Sequence, residues 1–187
     1  MDLFTDVTKT LVIGIDPGTF FQGLSWGELD HSARYGMEIG LTTRVTLHIP
    51  AFDPNGYDKF IEQLSQSDIL NDLIKRAKEY DEVVIGIEEP ILRVSQKRHS
   101  NRALRKDKTA AQILLVTSWW NKYMKRQLAN VTEAQRVRPY RWVGANFGSR
   151  RKFAQTYQVK GSEHEIAALL VGLNRANARR QLSKART

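Results

Sequence analysis

The sequence predicts an α/β fold: a mixed sheet, built from an antiparallel meander and parallel strands, flanked by helices. Three observations predict it. Short apolar runs, Leu11 to Ile15 and Val83 to Ile87, have the length of buried strands and end at proline turns. After the first strands the apolar spacing changes to a helical period. The chain has 187 residues, 41% of them hydrophobic, which is enough for one domain with a well-buried core and short for two.

Each element follows from its own pattern. Thr10 to Asp16 reads as a buried strand, and Pro17 and Gly18 in "DPGT" set a turn. "QGLSWGEL", "RYGMEIG" and "RVTLHIP" alternate, the last with Val45, Leu47 and Ile49 on one face, and complete an antiparallel meander. Pro50, Pro54, Asn55 and Gly56 mark a loop. From Tyr57, the residues Phe60, Ile61, Leu64, Ile69, Leu70, Leu73, Ile74 and Ala77 recur at helical spacing. "EYDEVVIGIEEP" is a strand that repeats the opening pattern: an apolar run, terminal carboxylates at Glu88 and Glu89, then proline. A long helix carries Ala110, Ala111, Leu114, Leu115, Trp119 and Met124. "TEAQRVRP" reads as a short strand, "VGANFGSRRKF" as a glycine-punctuated basic loop, and "SEHEIAALLVGLNRANARR" as a final helix with a basic tail. The order is β-β-β-α-β-α-β-α, expected as one domain over 1–187.

Charge narrows the function. The formal charge is +9, from 29 Lys and Arg against 20 Asp and Glu. Such an excess fits a polyanionic partner, most often nucleic acid. It is concentrated in Arg93, Lys97, Arg98, Arg102, Arg105, Lys106 and Lys108, with no aromatic among them, a composition suited to phosphates rather than bases. Arg150, Arg151 and Lys152 form a second basic group. There is no cysteine, so disulfides, thiolate zinc sites and cysteine nucleophiles are excluded. No apolar run approaches a membrane span, and the acidic, polar "MDLFTDVTKT" is no signal peptide, so a cytoplasmic location is expected.

The chemistry is expected at the strand ends. If the strands ending in Asp16 and Glu88 are neighbours, their carboxylates converge and repel, which raises one pKa or demands a cation. Oxygen donors suit Mg2+ or Mn2+ rather than zinc. Such ions activate water and stabilise the leaving oxygen in phosphodiester cleavage. The basic segments would hold the substrate.

These residues resemble a family. "IGIDPGTFFQGLSWGEL" looks like the first hairpin of the RuvC Holliday-junction resolvases, which have the ribonuclease H-like fold, and it matches Asp16 to their first metal ligand. "VVIGIEEPIL" is similar to the family's strand that ends in the catalytic Glu, here Glu88. "RALRKDKTAAQILLVTSW" resembles the helix lining the junction and dimer surface, and "PYRWVGANFGSRRKFAQ" the loop before the last helix. The resemblance implies a metal-dependent endonuclease, with Mg2+ or in its place Mn2+, that acts on branched DNA as a homodimer. It also implies an apolar junction wedge at Ile91 and Leu92. Trp119 and Trp120 could stack on bases but suit a core or dimer interface better. The rivals are a hybrid or flap nuclease on the same fold, and a catalytically degenerate junction binder.

The last motif departs from the family. There, an acidic or His residue opens the final helix and an Asp follows three positions on. Matching the apolar run of "GSEHEIAALLVGL" makes Glu165 the last carboxylate; matching the His makes His164 the first residue and leaves Ala167 where the Asp should stand. Glu165 is the preferred ligand beside Asp16 and Glu88, because alanine cannot coordinate. Glu163 or His164 is expected close by as a water partner or proton donor. Ala167 and Ala168 should let the helix pack tightly on the sheet.

Overall fold

The computed structural model describes residues 9–29, 43–49, 56–89, 101–128, 131–137 and 150–184. Five strands form one mixed sheet: β1 (Thr10–Pro17), β2 (Phe21–Glu28), β3 (Thr43–His48), β4 (Glu82–Glu88) and β5 (Val131–Val137). Their spatial order is β3-β2-β1-β4-β5. β1 pairs antiparallel with β2 across a short turn, and β2 pairs antiparallel with β3. β4 and β5 add parallel to β1 and to β4, each reached by a helical crossover. The segment "RYGMEIG", 34–40, lies outside the described residues.

Two helices, α1 (Gly56–Ser65) and α2 (Asp68–Ala77), stand where the apolar period predicted one. The break is local: Ser67 takes an extended backbone and its hydroxyl accepts the Leu70 N–H, restarting the helix. α3 (Asn101–Gln127) joins β4 to β5. It begins inside the basic segment, so Arg102, Arg105, Lys106 and Lys108 belong to its first turns. α4 (Arg150–Thr156) is helical where a basic loop was expected, and α5 (Glu163–Lys184) closes the described chain.

The sheet is buried on both faces. One face packs Leu11, Ile13, Ile15, Leu24, Ile85 and Ile87 against Phe60, Leu64, Leu73, Trp120 and Met124 of α1, α2 and α3. Trp120 is fully buried edge-on to Phe60, and Trp119 packs partly buried on Tyr57 and Phe60, so both belong to this core. On the other face Val12 meets Phe153 of α4 and Ile166, Leu169, Leu170 and Val171 of α5.

α5 lies unusually close to the sheet because glycines floor it. A methyl group on Gly14 would sit 2.0 Å from the Ala168 carbonyl oxygen and 2.6 Å from the Gly172 nitrogen; one on Gly23 would sit 2.2 Å from the His164 carbonyl oxygen. Ala167 and Ala168 are fully buried, as the close packing of this helix demands. Backbone atoms cannot move aside as a flexible side chain can, so Gly14→Ala is expected to cost about 3 kcal/mol or more. That lowers the melting temperature by roughly 10 °C, and a thermal melt checks it.

Candidate active site

The site is set by strand register. Gly14 lies opposite Gly86 and Ile15 opposite Ile87 in the parallel pair. One residue further along, Asp16 of β1 stands beside Glu88 of β4. By the alternation of strands both carboxyls share the face of Gly14 and Gly86, the face covered by α5. Both are buried, with 7% and 5% exposure. The convergence expected from two similar strand ends is therefore present.

Among the described residues, each carboxylate is hydrogen-bonded by a different basic side chain. The Asp16 Oδ2 lies 2.7 Å from His164 Nδ1, in the first turn of α5. Arg150 Nη2 donates to both oxygens of Glu88, at 2.7 and 3.0 Å, from the first turn of α4. α3 supports the end of β4, where the Thr117 hydroxyl donates to the Glu88 carbonyl.

Proximity pulls the two carboxyls apart in acidity. Burial, then the hydrogen bond and charge of Asp16, push Glu88 up to about 9 against the pull of Arg150. Burial also opposes ionisation of Asp16, but its hydrogen bonds from His164 and Glu88 and the Arg150 charge outweigh it and hold that carboxyl below the usual range. The pair thus favours holding one proton, with Glu88 pushed toward its neutral form and Asp16 toward its ionised form. The hydrogen bond to Asp16 raises His164 against its partial burial.

The three candidates at the head of α5 separate clearly. His164 is the one that reaches Asp16. Glu165 instead accepts a hydrogen bond from the Thr46 hydroxyl of β3 at 3.1 Å, and its N–H donates to the Ser162 hydroxyl. Glu163 is exposed. The structure therefore differs from the expectation that the helix presents Glu165 to the strand ends: Ser162 and Glu165 have the S-x-x-E spacing of a capping box, and they fasten the helix start to β3. Ala167 follows His164 by one turn and brings no donor. Arg150, expected among the phosphate-gripping residues, is paired with Glu88; Arg151 and Lys152 are exposed on the same helix. Ile91, Leu92, Arg93, Lys97 and Arg98 lie outside the described residues.

Sequence reasoning missed the Arg150–Glu88 pair, which joins residues 62 apart in the chain with no local signal. It also missed Gln22, fully buried on the opposite face of β2. Its amide accepts from Gly18 N–H and from Trp120 Nε1, and donates to the carbonyls of Gly18 and Ile49. All four hydrogen-bonding positions of the amide are used, and they lock the turn that follows Asp16.

The order and pairing of these strands can be compared with known structures. A solved structure of Thermus thermophilus RuvC is similar, with a TM-score of 0.52 and 16% identity, over 91% of this chain and 96% of that chain. The fold is that of RuvC. T. thermophilus RuvC in complex with a Holliday junction substrate aligns with a TM-score of 0.48 and 16% identity, over 92% of this chain and 96% of that one. No family model matches the chain, and no curated protein matches it. The RuvC likeness bears out the ribonuclease H-like architecture expected from the sequence; the site residues rest on this chain's own geometry.

The donor set tests whether a divalent cation fits. Asp16 and Glu88 are adjacent, buried oxygen donors whose mutual repulsion is relieved here by a proton, and a hard cation relieves the same repulsion. Among the described residues no group of three or more His, Asp or Glu encloses a metal position. The residues fit an open site of two carboxylates, with His164 at its edge.

Proposed function

We propose that this protein is a divalent-metal-dependent endonuclease that binds and cuts branched DNA, with four-way junctions as its substrate. The observation that carries the reading is the buried Asp16–Glu88 pair, at neighbouring strand ends of a RuvC fold in a chain of charge +9. Mg2+, or Mn2+ in its place, would be held by Asp16 and Glu88 and would supply Lewis-acid activation of water and of the leaving oxygen. Glu88 must lose its proton to act as a donor. Asp16, ionised already, fixes the His164 ring beside the reacting phosphate, where a raised imidazole can hold or pass a proton. Arg150 is within reach of the same carboxylates and can neutralise charge there. Exposed cations on α4 and the basic residues at the start of α3 would hold the backbone. A homodimer would present one such site to each of the two symmetric strands of a junction.

Cleavage of a synthetic four-way junction, with and without Mg2+, tests the reading; flap and hybrid substrates test the rival nucleases. No cutting of any of them in Mg2+ or Mn2+ overturns it. Two variants identify the residue of α5 that matters. His164→Ala is expected to lower cleavage at least tenfold at unchanged junction affinity. Glu165→Gln is expected to leave cleavage within about twofold and to cost roughly 0.5–1 kcal/mol of stability through its hydrogen bond to Thr46.

One observation favours a second reading, a junction binder that has lost its chemistry. Among the described residues the site brings together two carboxylates, and Ala167 adds no donor to them. Binding of the junction at nanomolar concentration, with no cutting in Mg2+ or Mn2+, would establish it.

A further inference from the structure

Two large aromatic side chains stand in water at the turn that follows Asp16. Phe20 is 56% exposed and Phe21 46% exposed, at the turn between β1 and β2. Neither belongs to a core cluster, and the fold does not need their rings. Leaving two phenyl rings in water forgoes the burial that places phenylalanine inside proteins.

The turn that carries them is rigid. Gln22 closes it with its four hydrogen bonds, and the Ile49 N–H donates to the Phe20 carbonyl at 2.9 Å. Gly18 lets the chain fold tightly, because a methyl group there would sit 2.2 Å from the Phe21 carbonyl oxygen. The rings are therefore displayed from a fixed platform, so little order is lost when a partner settles on them.

Their position names the partner. Phe21 shares a sheet face with Gly23 and so with the head of α5. Its ring centroid lies 5.1 Å from that of His48, exposed on β3, and 6.0 Å from that of His164, which touches Asp16. A polynucleotide strand with a phosphate at Asp16 and Glu88 that runs past this turn brings its neighbouring bases within reach of the rings. Aromatic faces accept any base by stacking, whereas a cation grips only phosphate.

We propose that Phe20 and Phe21 form a base-stacking platform that receives unpaired bases next to the phosphate held at Asp16 and Glu88. Stacking there keeps a strand unpaired and its phosphodiester in line with the carboxylates, so the pair selects branched over continuous duplex DNA. The inference rests on the nuclease reading above and adds to it the residues that recognise unpaired bases.

The test uses a synthetic four-way junction with 2-aminopurine placed in turn at each position around the branch, in Ca2+ so that no strand is cut. The unmodified chain is expected to quench the probe at one or two positions. In the Phe20→Ala/Phe21→Ala variant the quench disappears, and junction affinity falls roughly tenfold while duplex affinity changes less than twofold. Phe20→Leu/Phe21→Leu keeps apolar bulk and is expected to behave like the alanine variant, whereas Phe20→Trp/Phe21→Trp keeps the quench. An unchanged melting temperature shows that each variant is folded. Junction binding with the same quench in the alanine variant overturns the inference and leaves the nuclease reading standing. So does an alanine variant whose only change, by light scattering, is its oligomeric state, since the rings then contact protein. Failure of the unmodified chain to bind the junction overturns both.

Discussion

Asp16→Asn is expected to reduce Mg2+-dependent cleavage at least a thousandfold while junction binding stays within about threefold. The asparagine keeps the size of the carboxyl and its hydrogen bond to His164, but it removes the anion that His164, Glu88 and Arg150 keep ionised. Losing a metal-bound carboxylate removes several kcal/mol of transition-state stabilisation, and about 4 kcal/mol is a factor of roughly 10³ in rate. Binding should survive because the basic residues proposed to hold the backbone belong to α3 and α4. The substitution also acts on its neighbours. Without the Asp16 charge, two of the causes that raise Glu88 weaken or vanish, and of those that raise His164 only the Glu163 charge is untouched. Titration of His164 followed by NMR should therefore move to lower pH in Asp16→Asn. Cleavage at the unmodified rate would remove Asp16 from the chemistry, and a His164 titration that stays in place would break the link to Asp16.

Glu88→Gln is expected to abolish cleavage and yet stabilise the fold. Glu88 is 5% exposed and is pushed up to about 9, whereas in the unfolded chain it ionises near 4.5. Between those values the folded state binds the extra proton, so stability falls as pH rises, by at most about 1.4 kcal/mol per pH unit. His164 works in the same sense: its contribution is full below 6.5 and is lost as pH rises through its higher folded value. Asp16, held low, contributes above 3.8 and loses that contribution in stronger acid. In EDTA the melting temperature should be highest at about pH 4, between the ordinary values of Asp16 and Glu88, and decline from there toward pH 9. Glutamine cannot ionise, so Glu88→Gln should remove most of the decline and gain about 2 kcal/mol at pH 8, or roughly 4–8 °C. The gain falls short of the full linkage value because an amide oxygen accepts less from Arg150 than a carboxylate. Mg2+ should raise the melting temperature of the unmodified chain at pH 8 and leave that of Glu88→Gln unchanged. A flat profile in EDTA for the unmodified chain would show that the carboxyls do not share a proton.

Both results describe a site that trades stability for chemistry. A sheet packed on both faces holds two carboxyls where water screens them poorly, so burial and mutual repulsion favour keeping a proton there. The glycines at 14, 23 and 86 belong to the same arrangement. They bring α5 close enough for His164 to touch Asp16, at the cost of side chains the core could have used.

Much of this was legible in the sequence. The apolar runs at Leu11–Ile15 and Val83–Ile87 could only be buried strands, and two carboxyls closing two such strands made Asp16 and Glu88 the candidates. The mixed sheet, the long third helix and the small residues Ala167 and Ala168 follow from local periodicity, which a chain carries within a few residues of itself. Tertiary structure decided the rest. Glu165 was favoured over His164 because chemistry ranks a carboxylate above an alanine at the next turn, but the side of α5 that meets β1 depends on the glycine floor beneath it. Periodicity gives the faces of a helix without saying which neighbour each one meets. Arg150 reaches Glu88 across 62 residues, and Gln22 meets Trp120 across 98. Phe20 and Phe21 carry no local signal of their exposure, which only the fold decides. Those contacts arise only when separate elements pack, because hydrogen bonds and ring contacts act over a few ångströms in space whatever the distance along the chain.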